Sequence, residues 1–198
     1  MGLFDFLFLP SDALRSNRCP YIDLGLSVYW ATMNVGARFD YEYGDSFRWG
    51  EVRPPKSGEP YKFLRRGTSD LSRYLTQRSC VKPDYQTTLL PEDDVAHRRM
   101  GGNWRMPTID EMEELYTNCH WQALLINRTI RAYRITASNG NSILLPQVNL
   151  WTSSLHENNL RAYCLSFYSS NRSGPKITYT NRESCLAVRG VLPKPKDA

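Results

Sequence analysis

Apolar residues alternate in short, irregular bursts up to about residue 52, lose any period to about residue 90, and take up helical spacing between residues 91 and 119. Strand-like alternation follows from residue 132 to residue 191. Tyr21-Ile22-Asp23-Leu24-Gly25-Leu26 and Val28-Tyr29-Trp30-Ala31 predict two short strands around a turn containing Gly25. Asn34-Val35-Gly36 turns the chain again. Residues 43–51 alternate rings with polar side chains between Gly44 and Gly50, which fits a short strand or a tight loop. Residues 53–90 read as an insertion, because Pro54-Pro55, Gly58, Pro60, Arg65-Arg66-Gly67 and Pro83 interrupt every period. An aperiodic stretch of that length usually wraps the surface or carries function. Its Tyr61, Phe63, Leu64, Leu71, Tyr74 and Leu75 give it enough apolar content to pack.

Two helices are expected. Pro91 followed by Glu92-Asp93-Asp94 puts negative charge on a first turn, and Gly101-Gly102 stops that helix. The second opens at Thr108-Ile109-Asp110-Glu111, a capping box in which the Thr108 hydroxyl and the Glu111 carboxylate satisfy orphan backbone donors. Ile109, Met112, Leu115, Tyr116 and Cys119 then recur at helical steps and predict the buried face, with Asp110, Glu113, Glu114 and Asn118 in water.

Strands are expected over residues 132–136 and 142–145, flanking Asn139-Gly140 in a hairpin whose loop exceeds two residues. Residues 150–154, 162–168, 176–179 and 186–191 complete the set. The last three surround a polar interior rich in Tyr, Asn, Ser and Arg. Tyr supplies contact area at low entropic cost, and Ser and Asn supply adaptable hydrogen bonds, so the stretch has the composition of a binding face. Loops between surface strands are polar for ordinary reasons as well. The proposed ligand-binding residues are Trp151, Ser153, His156, Asn158, Asn159, Arg161, Tyr163, Tyr168, Ser170, Asn171, Arg172, Thr178, Tyr179, Asn181 and Arg182. Of these, His156, Asn158, Arg161, Tyr168, Asn171, Tyr179, Asn181 and Arg182 are expected to form a shallow surface facing solvent.

Composition narrows the function. The 198 residues suit one large domain or two very small ones, and 41% hydrophobic with 12% aromatic content is globular. The formal charge of +5 is scattered over short pairs such as Arg65-Arg66 and Arg98-Arg99, which argues for a solvated surface and against a nucleic-acid partner. Cys19, Cys80, Cys119, Cys164 and Cys185 are odd in number and contain no CxxC, so neither a disulfide framework nor a zinc site is suggested. His97, His120 and His156 are equally dispersed. The reading therefore includes no metal, no cofactor and no catalytic residues. Met1 to Pro10 is apolar but brief and carries Asp5, so it reads neither as a signal peptide nor as a span, and residues 1–19 are expected to be a leader that docks on the domain or a partner.

Several ordered blocks carry a family resemblance. They are Tyr21-Ile22-Asp23-Leu24-Gly25-Leu26-Ser27-Val28-x-Trp30-Ala31-Thr32-x-Asn34-Val35-Gly36-Ala37, Tyr43-Gly44-Asp45-x-Phe47-x-Trp49-Gly50-Glu51 and Gly102-x-Trp104-Arg105-Met106-Pro107-Thr108. Asn139-Gly140-Asn141-Ser142-Ile143, Leu145-Pro146, Trp151-x-Ser153-Ser154 and Val188-Arg189 continue the series. Together they resemble the Fibrobacter succinogenes major paralogous domain over most of residues 20–191. The resemblance implies an α+β fold of the C-type-lectin-like group, in the branch shared with formylglycine-generating-enzyme-like domains, with two helices, short twisted antiparallel strands and long loops. Related chains are the variable proteins of diversity-generating retroelements, in which the segment from the Trp-x-Ser-Ser block to the Val-Arg block is rewritten to change ligand choice. Residues 150–189 would be that segment here.

Departures from the family pattern bear on what carries over. The secretion or lipoprotein signal usual in the family is not seen, which favours a cytoplasmic or phage-particle location over classical secretion. Gly190 stands where Pro is common, and Cys164 and Cys185 replace residues more often aromatic or Gly. The formylglycine-generating branch uses a cysteine pair with copper, yet Cys164 sits between Tyr163 and Leu165 in an expected strand, the setting of a small buried hydrophobe. No Glu-Pro-Asn or Gln-Pro-Asp block supplies a lectin calcium site. Arg105 and Arg189, each between apolar neighbours, are expected to bond within the fold, and Trp30, Trp49 and Trp104 to be interior rings.

The resulting expectation is a single domain over residues 20–192, with an insertion at 53–90 and a tail at 193–198. It is a non-enzymatic, noncovalent binder of a protein or other macromolecule, without a membrane span and with homo-oligomerisation open. A static, adhesin-like surface module and a formylglycine-generating-like copper enzyme are the alternatives.

Overall fold

The computed structural model of the protein describes residues 20–68, 70–77, 82–126, 129–167 and 174–195. Their elements in chain order are β1 (Tyr21–Ile22), β2 (Val28–Asn34), a 3-10 turn (Pro91–Asp93), α1 (Val95–Met100), α2 (Ile109–Asn118), β3 (Cys119–Ile126) and β4 (Ile130–Ala137). After these come β5 (Ser142–Pro146), β6 (Leu150–Leu155), β7 (Arg161–Ser166), β8 (Lys176–Asn181) and β9 (Arg189–Pro193). The strands form three antiparallel sheets of three strands each, in the orders β1-β2-β9, β3-β4-β5 and β6-β7-β8, so the fold is α+β.

Local signals explain most helix boundaries. The helix expected from Glu92 is divided, because Asp94 sits in extended backbone (φ −89°, ψ 113°) after the 3-10 turn. Its carboxylate then accepts the His97 N–H at 3.1 Å and caps α1, which Gly101 terminates at φ 75°. At α2 the capping box forms as expected: the Glu111 N–H donates to the Thr108 hydroxyl, and the Thr108 N–H to the Glu111 carboxylate at 2.9 Å. Met112 and Leu115 are buried, whereas Tyr116, expected on the inner face, is 39% exposed. Cys119 does not extend that face either, since α2 passes directly into β3 at this residue. No strand was expected at β3. Its Leu, Ala and Gln are helix formers, and what makes it a strand is unbroken pairing with β4 from Cys119↔Ala137 to Ile126↔Ile130.

The β4–β5 turn spans residues 138–141, closed by Ala137 N–H to Asn141 O at 2.9 Å, which is the longer loop that Asn139-Gly140 predicted. Residues 43–51 form loop, with one bridge between Phe47 and Leu186. β6 is buried at all six positions and separates two core clusters. Trp151 and Leu155 face one, with Phe47, Trp49, Phe63 and Trp104. Leu150 joins the other, with Trp30, Leu115, Ile135 and Val191. Trp30, Trp49 and Trp104 are all interior.

The insertion belongs to the first cluster. Tyr61, Phe63, Tyr74 and Leu75 are buried, and Gly50 (φ +81°) lets Phe63 approach so closely that a Cβ there would lie 2.3 Å from the ring. Buried Asp93, at the end of the 3-10 turn, holds the insertion by ion pairs to Lys62 and Arg73 and by the Tyr74 hydroxyl at 2.6 Å. Tyr74 adopts φ 58°, and the Asp84 carboxylate fixes that backbone by accepting the Tyr74 and Leu75 N–H groups at 2.7 and 2.8 Å. Arg105 and Arg189 bond inside the fold: Arg105 to Glu111, and Arg189 to Asn34 Oδ1, Ala31 O and Leu144 O.

Candidate functional site

β7 and β8 pair Arg161 with Asn181 and Tyr163 with Tyr179, which places these four side chains on one face of the sheet. His156, just past the end of β6, completes the group. Its ring centroid lies 4.0 Å from that of Tyr179 and 5.0 Å from that of Tyr163, and the Arg161 guanidinium stands 5.1 Å from the centre of Tyr179. Tyr179 is 42% exposed, and Asn158, Arg161 and Asn181 are also exposed.

The polar chemistry of this shelf is dominated by donors. His156 Nδ1 accepts the Asn158 N–H at 3.0 Å, so Nε2–H is the donor of the neutral ring. Asn158 and Asn181 spend their side-chain oxygens on local turns, accepting the N–H groups of Leu160 at 3.0 Å and Glu183 at 2.9 Å. Their amide NH2 groups, the Arg161 guanidinium and the two tyrosine hydroxyls remain as contact chemistry.

Four residues expected on the face lie inside the domain. Trp151 is fully buried, its Nε1 donating to Phe47 O at 2.8 Å. Ser153 donates to Pro107 O at 3.2 Å, and Ser154 accepts the Ile109 N–H at 3.0 Å, so the Trp-x-Ser-Ser block fastens β6 to the start of α2. Asn159 is buried because its amide grips the insertion, accepting the Thr76 N–H at 2.9 Å and donating to Thr76 Oγ1 at 2.8 Å. Arg182, expected in water, is 1% exposed. Its guanidinium lies within 4.7 to 5.7 Å of the ring centres of Trp49, Tyr61, Phe63 and Tyr74 and donates to Asn159 O, Arg73 O and the Tyr61 hydroxyl. Burial pulls its pKa below the ordinary value, and aromatic faces and carbonyls offset part of that desolvation. Thr178 pairs with Cys164 and therefore points to the opposite face from Tyr179. Tyr168, Ser170, Asn171 and Arg172 lie outside the described residues.

Two contributors had no sequence signal. Leu160, 56% exposed, sits beside Asn158, and Gln77 of the insertion borders the same turn by donating to Glu157 O at 3.2 Å. That contact joins residues eighty positions apart, beyond the reach of any local pattern.

Burial pushes the Cys164 thiol up to about 12, so it stays protonated at neutral pH, while Cys185 is exposed. Among the described residues no cluster of three or more His, Cys, Asp or Glu could hold a metal ion, and no helix is long and apolar enough to cross a membrane. Compared with protein-family models, curated proteins and solved structures, the chain matches none.

Proposed function

We propose that this protein binds a macromolecular ligand noncovalently through the shelf of His156, Asn158, Arg161, Tyr163, Tyr179 and Asn181. The scaffold would be C-type-lectin-like, and the chain a variable protein of a diversity-generating retroelement, as the sequence blocks imply. One observation carries the reading: the rings of His156, Tyr163 and Tyr179 meet edge-on or tilted beside an arginine at one face of the β7–β8 pair, with Tyr179 and Arg161 exposed and His156 and Tyr163 half-buried. Rings with two torsions lose little entropy on contact, and a rigid sheet beneath them leaves little ordering cost to binding. The excess of donors suits an acceptor-rich ligand, such as the backbone and acidic side chains of a protein. Trp151, Ser153, Asn159 and Arg182 belong to the support of this shelf.

Displaying a library randomised at the six positions tests tolerance directly. Surface changes within about 0.5 kcal/mol each should leave most members folded, with Tm within about 5 °C of the parent, and selection on a protein panel should return binders whose sequences differ by target. Unfolding of most members would refute the assignment. Diversification itself is tested in the neighbouring DNA, where a reverse transcriptase and a near-copy of the segment encoding residues 151–189, differing at adenines, are expected. Absence of both would leave the static, adhesin-like module.

A further inference from the structure

The outer edge of β3 carries the clearest unassigned interaction surface. Ile126 O accepts the Thr129 N–H at 3.0 Å, so Ile126 turns its backbone groups toward β4. By strand alternation Gln122 and Leu124 do the same, while Trp121, Ala123 and Leu125 aim N–H and C=O away from the sheet. β3 ends the order β3-β4-β5, and among the described residues no strand pairs with that edge. Exposed edges are ordinarily blunted by charge, proline, a bulge or shortness. Here the strand is Cys-His-Trp-Gln-Ala-Leu-Leu-Ile, eight residues with no lysine, arginine, acid or proline, and its register with β4 is regular throughout. Leu125 on this strand is 60% exposed.

We propose that this edge pairs antiparallel with the same edge of a second copy, about a two-fold axis at Ala123, to make a continuous six-stranded sheet. A two-fold axis normal to the sheet keeps each face in register only if it passes through a residue. At Ala123 the two smallest side chains of the strand's outer row meet each other, and Leu125 of each copy covers Trp121 of the other. The three outward residues then exchange about six hydrogen bonds, within the 10 ± 5 of a typical interface. No charge on β3 opposes its own image across the axis. Because the contact is isologous it closes on itself, giving a dimer and consuming the edge that would otherwise template fibres.

Sedimentation equilibrium of the full chain in reductant, at about 100 μM, well above micromolar dissociation constants, tests this. The expected mass is twice the 22.9 kDa of one chain. Ala123→Lys sets like charges against each other at the axis, and Ala123→Pro removes an outward N–H, a change edge strands tolerate. Both are expected to be single chains with unchanged far-UV circular dichroism. Should a variant misfold, amide exchange of the unaltered protein decides: Trp121, Ala123 and Leu125 should gain protection as concentration rises. A single-chain mass at that concentration overturns the proposal. So does a dimer that survives Ala123→Lys in folded form, or protection independent of concentration, which would mark cover by the chain's own residues 1–19.

Discussion

Arg161 and Arg182 carry the same guanidinium to opposite surroundings. Arg161 lies over the outer face of Tyr179 in water, and Arg182, one residue past the end of β8, turns into a cage of four rings. Arg182→Ala leaves a cavity among four rings and removes the guanidinium's hydrogen bonds to Asn159 O and Arg73 O, so urea unfolding should register a loss of about 3 kcal/mol. Arg161→Ala should cost under about 0.5 kcal/mol. Equal losses would mean that the two sites had been confused. Composition alone could not separate them, because Arg, Asn and Ser look alike whether they face a ligand or staple a loop. Glu111 shows a second residue-scale effect. Burial pushes its carboxyl up, but the Arg105 guanidinium and the Thr108 N–H outweigh that and hold it below its ordinary 4.5. A lowered value contributes stability above the unfolded pKa and loses it as pH falls through the folded one. Glu111→Gln should therefore be less stable than the parent by about 1 kcal/mol at pH 7, and the gap should close as the pH falls below the ordinary carboxylate range and through the lowered folded value. Buried Asp94 runs the other way: burial raises its carboxyl against the Met106 and His97 N–H groups, so its contribution fades as pH rises through the folded value.

Among the elements, one carboxylate ties the insertion to the 3-10 turn. Asp93 binds Lys62, Arg73 and Tyr74 together; without it the part-exposed Lys62 and Arg73 can turn to water, but the buried Tyr74 hydroxyl loses its acceptor. Asp93→Ala should cost about 1 to 3 kcal/mol, the penalty of a lost buried hydrogen bond, and limited proteolysis should cut first within residues 53–90, while cleavage elsewhere would place the weak point outside this anchor. Elements specified locally could be read from sequence: the capping box at Thr108, the Gly101 stop and the Asn139-Gly140 turn each lie within a few residues of what they determine. β3 could not, since its strand state comes from β4. The shelf was half legible for the same reason. Its residue types were visible, but the register that aligns Tyr163 with Tyr179 and turns Thr178 away is a property of paired strands.

For the whole molecule, the two core clusters share strands rather than dividing the chain. Neighbouring residues Trp30 and Ala31, Leu150 and Trp151, and Ala187 and Val188 feed opposite clusters. Neither can lose its packing without exposing the other. Urea unfolding followed by tryptophan fluorescence and by far-UV circular dichroism should accordingly give coincident transitions, and separated midpoints would show two independent units.

β1 and β9 flank β2 and are both antiparallel to it, with Tyr21 opposite Ala31 and Pro193 opposite Val28. Traction applied at Tyr21 and Pro193 therefore drags the two flanking strands lengthwise along β2 in opposite senses, loading their hydrogen bonds in shear. Bonds loaded side by side must break together, whereas peeled ones break in turn. Pulling the chain apart at Tyr21 and Pro193 would therefore meet a mechanically stiff sheet.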